Sequence, residues 1–211
     1  METRRIEITS RKYDAIKIGI IPGHFATNHS HVNYYVDMNS LKKRYKMSKE
    51  AAKAFAADYV NTPVDTIICL EGTQVIGAFL AEQLSESRRS VNDGNDISVL
   101  TPELNSNKQM LFRDDTQNMI WNKKVLLLIS SASTGRTIES CIECLTYYSG
   151  ELVGVASLFS AIESMNDMPI KAIFHNDDLP DYETYSPAEC TMCKVGKKVD
   201  AIINDHGYSK I

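Results

Sequence analysis

A chain of 211 residues with 43% apolar and 24% charged side chains has the composition of an ordinary folded protein, too long to rely on disulfide staples and too apolar to stay disordered. Its 23 Lys and Arg against 27 Asp and Glu leave a net charge of −4, which argues against a basic binder of nucleic-acid phosphates. No run approaches the roughly 18–20 apolar residues of a spanning helix, and Met1-Glu2-Thr3-Arg4-Arg5 lacks the apolar core of a secretion signal, so a cytoplasmic chain with no membrane partner is expected.

Residues 48–60 place Ala52, Phe55, Ala56, Tyr59 and Val60 on one helical face, with Ser48 as the expected cap and Glu50 in the first turn. Asn61-Thr62-Pro63 ends that helix. Thr66-Ile67-Ile68-Cys69-Leu70 then reads as a strand buried on both faces. After Glu71-Gly72-Thr73-Gln74 the period changes to helical, with Val75, Ile76, Phe79, Leu80 and Leu84 as the apolar stripe. A strand at 97–100 and a polar stretch at 101–123 follow. The run Val125-Leu126-Leu127-Leu128-Ile129 is the most strand-like of the chain, and leads through Ser130-Ser131-Ala132-Ser133-Thr134-Gly135 into a helix from about Arg136, with Ile138, Cys141, Ile142 and Leu145 on one face. Strands at 152–159 and 170–174 complete an alternation that predicts an α/β fold, a mostly parallel sheet flanked by helices. No repeat or linker divides the sequence, so 1–211 reads as a single domain.

Ligands of open α/β sheets bind beyond the carboxyl ends of the strands, which directs attention to the two strand-to-helix turns. In Ser130-Ser131-Ala132-Ser133-Thr134-Gly135-Arg136-Thr137, hydroxyls, a close-approach glycine, a cation and a helix N-terminus form a cradle for an anion. A plain helix cap with a turn-forming glycine accounts for the same residues.

The stretch from Val125 to Ile138 resembles the phosphoribosyl diphosphate (PRPP) motif of type I phosphoribosyltransferases: a hydrophobic strand, two acids, and a Thr-Thr-Gly-x-Thr loop. The resemblance implies that family's fold, with a small hood formed by the terminal segments. It assigns the 5′-phosphate to Ser131, Ala132, Ser133, Thr134, Gly135, Arg136 and Thr137, with Ser130 beside them. Leu70-Glu71-Gly72-Thr73-Gln74 is similar to the family's diphosphate loop, which gives Glu71, Gly72 and Thr73 to that group. Tyr34-Tyr35-Val36-Asp37 resembles the aromatic strand of the orotate-type branch, which implies that Tyr34 and Tyr35 line the base pocket. Phe112-Arg113 resembles the start of the catalytic loop and implies a catalytic Arg113, with Lys108 as a further cation. On this resemblance the protein is a pentosyltransferase of pyrimidine biosynthesis that uses PRPP, a base such as orotate and Mg²⁺, and forms a homodimer.

Where the family has its acidic pair, this chain has Ile129 and Ser130, and Asp114-Asp115-Thr116-Gln117 stands where the family's loop is rich in Lys and His. Ser130 is a neutral acceptor, with roughly half the strength of a charge-assisted bond. A non-catalytic module that senses PRPP or a nucleotide therefore stands beside the enzyme, and Asp114-Asp115 are candidates to replace the missing acids.

Other features carry weaker expectations. Cys141/Cys144 and Cys190/Cys193 are two Cys-x-x-Cys pairs that could share Zn²⁺, although Cys141 lies on an apolar helical stripe and Cys190–Cys193 reads as a structural turn in preference to a redox pair. His29-Ser30-His31 has strand spacing with no third ligand evident nearby, and reads as a surface loop or a contact near the base-binding end. Lys42-Lys43-Arg44 and Arg88-Arg89 read as solvated faces.

Overall fold

The computed structural model describes residues 1–105, 109–179, 181–204 and 206–211. Strand β1 (Ile6–Thr9) precedes a hairpin of β2 (Lys17–Ala26) and β3 (His31–Asp37), followed by helices α1 (Asn39–Lys43) and α2 (Tyr45–Tyr59). Strand β4 (Thr66–Cys69), helix α3 (Gln74–Ser85) and strand β5 (Ser98–Leu100) come next. An excursion of β6 (Glu103–Leu104), β7 (Met110–Leu111) and the short helix α4 (Asp114–Gln117) lies within the polar stretch at 101–123. Then follow β8 (Lys124–Ala132), α5 (Arg136–Tyr147), β9 (Glu151–Ser160), β10 (Ser164–Met165) and β11 (Met168–His175). The chain closes with β12 (Thr184–Tyr185), α6 (Thr191–Lys194), β13 (Ala201–Asn204) and β14 (Gly207–Lys210).

The continuous apolar runs become the centre of one sheet, in the order β10-β11-β9-β8-β4-β5, with every pairing parallel except the edge hairpin β10–β11. Alternation along β8 divides its side chains between two cores. Leu126 and Leu128 meet Phe55 and Tyr59 of α2 and Ile76 and Leu80 of α3, while Val125, Leu127 and Ile129 meet Ile138, Cys141 and Leu145 of α5. Each such leucine contributes roughly 1.5–3 kcal/mol by leaving water. The second sheet, β12-β3-β2-β13-β14 with β1 also on β2, is the hood. Ile18 and Ile20 of β2 join the core beneath α2 and α3, and the opposite face buries Ile21, Phe25, Val32, Tyr35 and Ala201. Ser10 Oγ adds a 2.7 Å bond to the Ile173 carbonyl of the other sheet.

Four expectations shift locally. Helix α2 begins at Tyr45, so Ser48 is not its cap; its buried hydroxyl donates to the Leu41 carbonyl at 2.6 Å. Val75 is exposed because it sits about 100° around α3 from Ile76, which with Leu80 and Leu84 makes the buried stripe. Strand β8 runs to Ala132, beyond the expected end at Ile129, because Ser131 and Ala132 pair with Phe159 and Ser160 of β9. Lys42 is buried rather than solvated. No helix among the described residues is long and apolar enough to cross a membrane.

Candidate functional site

Parallel strands β4 and β8 end side by side, which brings the two strand-to-helix turns together. In the first turn, Glu71 (φ 56°) and Gly72 (φ 82°) are both left-handed. That conformation costs a non-glycine residue roughly 1–2 kcal/mol. At Glu71 the cost is offset by bonds that need it: Oε2 accepts the backbone N–H groups of Ser130 and Ser131, each at 3.0 Å. The Glu71 carbonyl accepts a 2.9 Å bond from Lys42 Nζ. Thr73 is fully buried, and its hydroxyl reaches the carbonyls of Leu70 (2.8 Å) and Leu128 (3.0 Å), so it braces the turn from within. Of the residues assigned to diphosphate, Glu71 and Gly72 thus form the left-handed bend of the turn, and Thr73 holds its frame.

The second turn is shorter than expected. Ser130, Ser131 and Ala132 lie inside β8, leaving Ser133, Thr134 and Gly135 to make the bend. Gly135, at φ 80°, is the residue before α5, whose start has no side-chain cap, so the first N–H groups of a twelve-residue helix open toward this bend. Arg136 and Thr134 are exposed and Thr137 is half-buried. A Cβ at Gly135 would come within 1.7 Å of Met165 Cε and 3.3 Å of Ile162 Cδ1, so the β9–β11 connection leans over the turn. Tyr182 stands beside Ser133 and Thr184. Burial raises its phenol pKa, the two hydroxyls oppose the rise, and its ring packs edge-on against Phe159 at 4.9 Å.

The remaining assignments scatter. Tyr35 is buried in the outer hood cluster, edge-on to Tyr208 and tilted against Phe25, and burial pushes its phenol up to about 12. Tyr34 faces the opposite side of β3, toward the central core. Successive residues of one strand point to opposite faces, so the two tyrosines do not share a pocket. Arg113 is exposed and forked onto Glu103, with Nε–Oε1 at 2.9 Å. Asp114 and Asp115 are exposed in the first turn of α4, where they favour the helix dipole rather than β8. Lys108 lies outside the described residues. The four cysteines of the two Cys-x-x-Cys pairs do not meet: Cys141 and Cys144 belong to the α5 core, where burial pushes their thiols up to about 12 and about 11, while Cys190 and Cys193 lie in the hood. There they adjoin His31, and His24 rather than His29 is its partner.

Lys42 and Tyr182 adjoin the candidate site without having been singled out in the sequence. Nothing in Lys42-Lys43-Arg44 distinguishes the buried member, and Tyr182 sits in a segment without periodicity. The donors at the two turns do not fit a Mg²⁺ held by the protein. Ile129 is fully buried against α5, Ser130 is neutral, and the carboxylate that reaches this place, from Glu71, spends Oε2 on two backbone N–H groups.

No protein-family model matches the chain, and no curated protein matches it significantly in sequence. Solved structures do resemble it. UMP synthase of Leishmania donovani superposes with a TM-score of 0.57 at 14% identity, over 76% of this chain and 34% of that one, so the chain spans about a third of that protein. Orotate phosphoribosyltransferase of Mycobacterium tuberculosis H37Rv, solved in complex with PRPP, gives 0.51 at 14% identity over 69% and 82% of the two chains. Adenine phosphoribosyltransferase of Leishmania donovani gives 0.51 at 15% identity over 75% and 78%. The chain thus has the type I phosphoribosyltransferase fold, a mostly parallel sheet flanked by helices.

Proposed function

We propose that the protein binds a phosphoribosyl ligand, PRPP or a nucleoside 5′-monophosphate, with the 5′-phosphate in the turn from Ser133 to Thr137. The observation that carries this reading is the left-handed Gly135 opening an uncapped helix N-terminus beside two hydroxyl residues, an arrangement suited to a phosphate dianion. Glu71 takes over from the absent acidic pair on this reading. Its carboxylate comes from the neighbouring strand to the backbone of residue 130, within reach of ribose hydroxyls bound there. Lys42 and the Glu71–Gly72 backbone receive the diphosphate. Mg²⁺ belongs to the proposal as a counter-ion of that diphosphate. Calorimetric titration with PRPP and with uridine and adenosine 5′-monophosphates tests it: binding by wild type and its loss in Gly135→Val are expected. Absence of heat from all three ligands removes the proposal and leaves the turn a helix cap.

Transfer of the phosphoribosyl group to a base such as orotate is the second reading. Lys42 favours it, because negative charge grows on the departing diphosphate and a preorganised cation there lowers the barrier. Arg113 would have to exchange Glu103 for the diphosphate in this reaction. The remaining parts of the proposal are a cytoplasmic homodimer, with 1–211 as one domain. Protein mixed with PRPP, Mg²⁺ and orotate, then with other bases, is expected to release diphosphate; tight PRPP binding with no diphosphate from any base leaves a sensor.

A further inference from the structure

Between Ser186 and Asp200 the one fully buried residue is Cys190. A segment of this length cannot be held by apolar burial when it buries a single small side chain, since ordering each residue costs roughly 1–2 kcal/mol of backbone entropy. Its order has another source in the side chains that Cys190 touches. Sγ of Cys190 lies 3.5 Å from Nε2 of His24, and Sγ of Cys193 lies 3.7 Å from that nitrogen and 3.3 Å from Nδ1 of His31. The two imidazole nitrogens are 3.0 Å apart, and all four donor atoms fall within 4.8 Å of one another.

We propose that His24, His31, Cys190 and Cys193 bind one Zn²⁺ ion that closes the hood. Zinc bonds of about 2.0–2.1 Å to nitrogen and 2.3 Å to sulfur give a tetrahedron whose edges are about 3.3 Å (N to N), 3.5 Å (N to S) and 3.8 Å (S to S). The four separations above agree with those edges to a few tenths of an ångström. Two thiolates and two imidazoles in a tetrahedral set select zinc among abundant divalent ions, and four protein ligands leave no open position, so the site is structural.

The surroundings prepare the ligands for this task. Strand β2 is irregular between Pro22 and Phe25, which frees the His24 backbone from the β3 ladder. Asp200 takes its place: its carboxylate accepts the His24 N–H at 2.9 Å, its own N–H donates to the His24 carbonyl at 2.7 Å, and Arg4 holds the carboxylate at 2.9 Å. His24 Nδ1 lies 2.8 Å from the Lys197 carbonyl, which can only accept, so Nδ1 carries the proton and Nε2 presents its lone pair. His31 opens β3, and the Cys-x-x-Cys pair begins a tight turn in which the Lys194 and Gly196 N–H groups bond the Cys190 and Cys193 carbonyls at 3.1 and 2.9 Å. The ion would thereby join the β2–β3 hairpin to the segment beyond β12, whose Tyr185 pairs with His31 and which follows Tyr182 at the phosphate turn.

The test uses the full chain, expressed with zinc and purified under a phosphine reductant. Elemental analysis is expected to give one zinc per chain, and replacement by Co²⁺ to give the visible absorption of a tetrahedral thiolate–imidazole centre. Cys193→Ser, at an exposed position, is expected to weaken zinc affinity by more than the roughly 10–100-fold typical of losing an outer-shell partner. The double variant Cys141→Ser with Cys144→Ser is expected to keep the metal. A reduced wild-type chain that carries no zinc and takes up neither Zn²⁺ nor Co²⁺ on titration overturns the proposal, as does full zinc content in a His31→Ala, Cys193→Ser variant. Because the wild-type spectrum is read directly, misfolding of a variant does not shield the idea.

Discussion

The carboxylate of Glu71, at the end of β4, accepts the backbone N–H of Ser130 in β8 at 3.0 Å, and so an acid from one strand occupies the edge of its neighbour. Removing it in Glu71→Ala is expected to cost about 1–3 kcal/mol in urea denaturation, because two N–H groups lose a charged acceptor and one of them is partly buried. Glu71→Gln keeps one neutral acceptor and is expected to fall between. PRPP affinity should drop in both; a variant that binds PRPP as wild type does would show that Glu71 is a brace alone.

Restoring the family's acid at position 129 is expected to harm the protein. Ile129 is fully buried against Ile138 and Cys141 of α5, so Ile129→Asp places an unpaired carboxyl in an apolar core. The expected loss is about 3 kcal/mol or more, with no gain in PRPP binding. Thermal melting alongside titration decides it, and tighter PRPP binding in this variant would count against the burial argument.

Gly135→Val meets two obstacles, the left-handed backbone and the Met165 methyl group. Strain of about 1–2 kcal/mol is expected, together with loss of 5′-phosphate binding. Pairing the change with Met165→Ala relieves the contact and leaves the backbone cost. If the pair regained full stability, the φ angle would matter less than the crowding.

Lys42→Met keeps the buried stem and removes the ammonium from the Glu71 carbonyl. PRPP affinity is expected to fall about tenfold or more while affinity for a nucleoside monophosphate, which lacks the diphosphate, changes little. Equal losses for the two ligands would place Lys42 outside the diphosphate position.

Burial pushes the thiols of Cys69 and Cys141 up to about 12. At pH 8 each then holds roughly a thousandth of the thiolate of a thiol near 9, so alkylation in the native chain should be slow and rise about tenfold per pH unit until the pKa is reached. Mass spectrometry after a timed iodoacetamide pulse reads this; equal labelling of these two cysteines before and after unfolding would contradict the burial.

The central sheet was legible because Val125-Leu126-Leu127-Leu128 and Thr66-Ile67-Ile68-Cys69 are buried on both faces, and that leaves a continuous apolar run. The extension of β8 was not, since Ser130-Ser131-Ala132 has the composition of a turn. Its extended state comes from Phe159 and Ser160 alongside and from Glu71, none of them near in sequence. The second strand-to-helix turn was recognisable from Ser133, Thr134 and Gly135, whereas Tyr182 reaches it, and Lys42 reaches the Glu71 turn, only through tertiary packing. The Cys-x-x-Cys spacing was visible twice, but spacing says nothing of which distant residues a pair faces. One pair meets a helix core and the other meets two histidines more than 150 positions away.

Strand β2 sits between β3 and β13, so residues 25 and 26 are completed by residues 201 and 202. During synthesis the central sheet of residues 66–175 has all its strands in hand while the hood still lacks one side of its middle strand. The nascent chain therefore passes through a stage with an open sheet edge at Phe25 and Ala26, the kind of edge on which a holdase or a second nascent chain could pair. Emergence and pairing of residues 201 and 202, not closure of the central sheet, mark when that exposure ends.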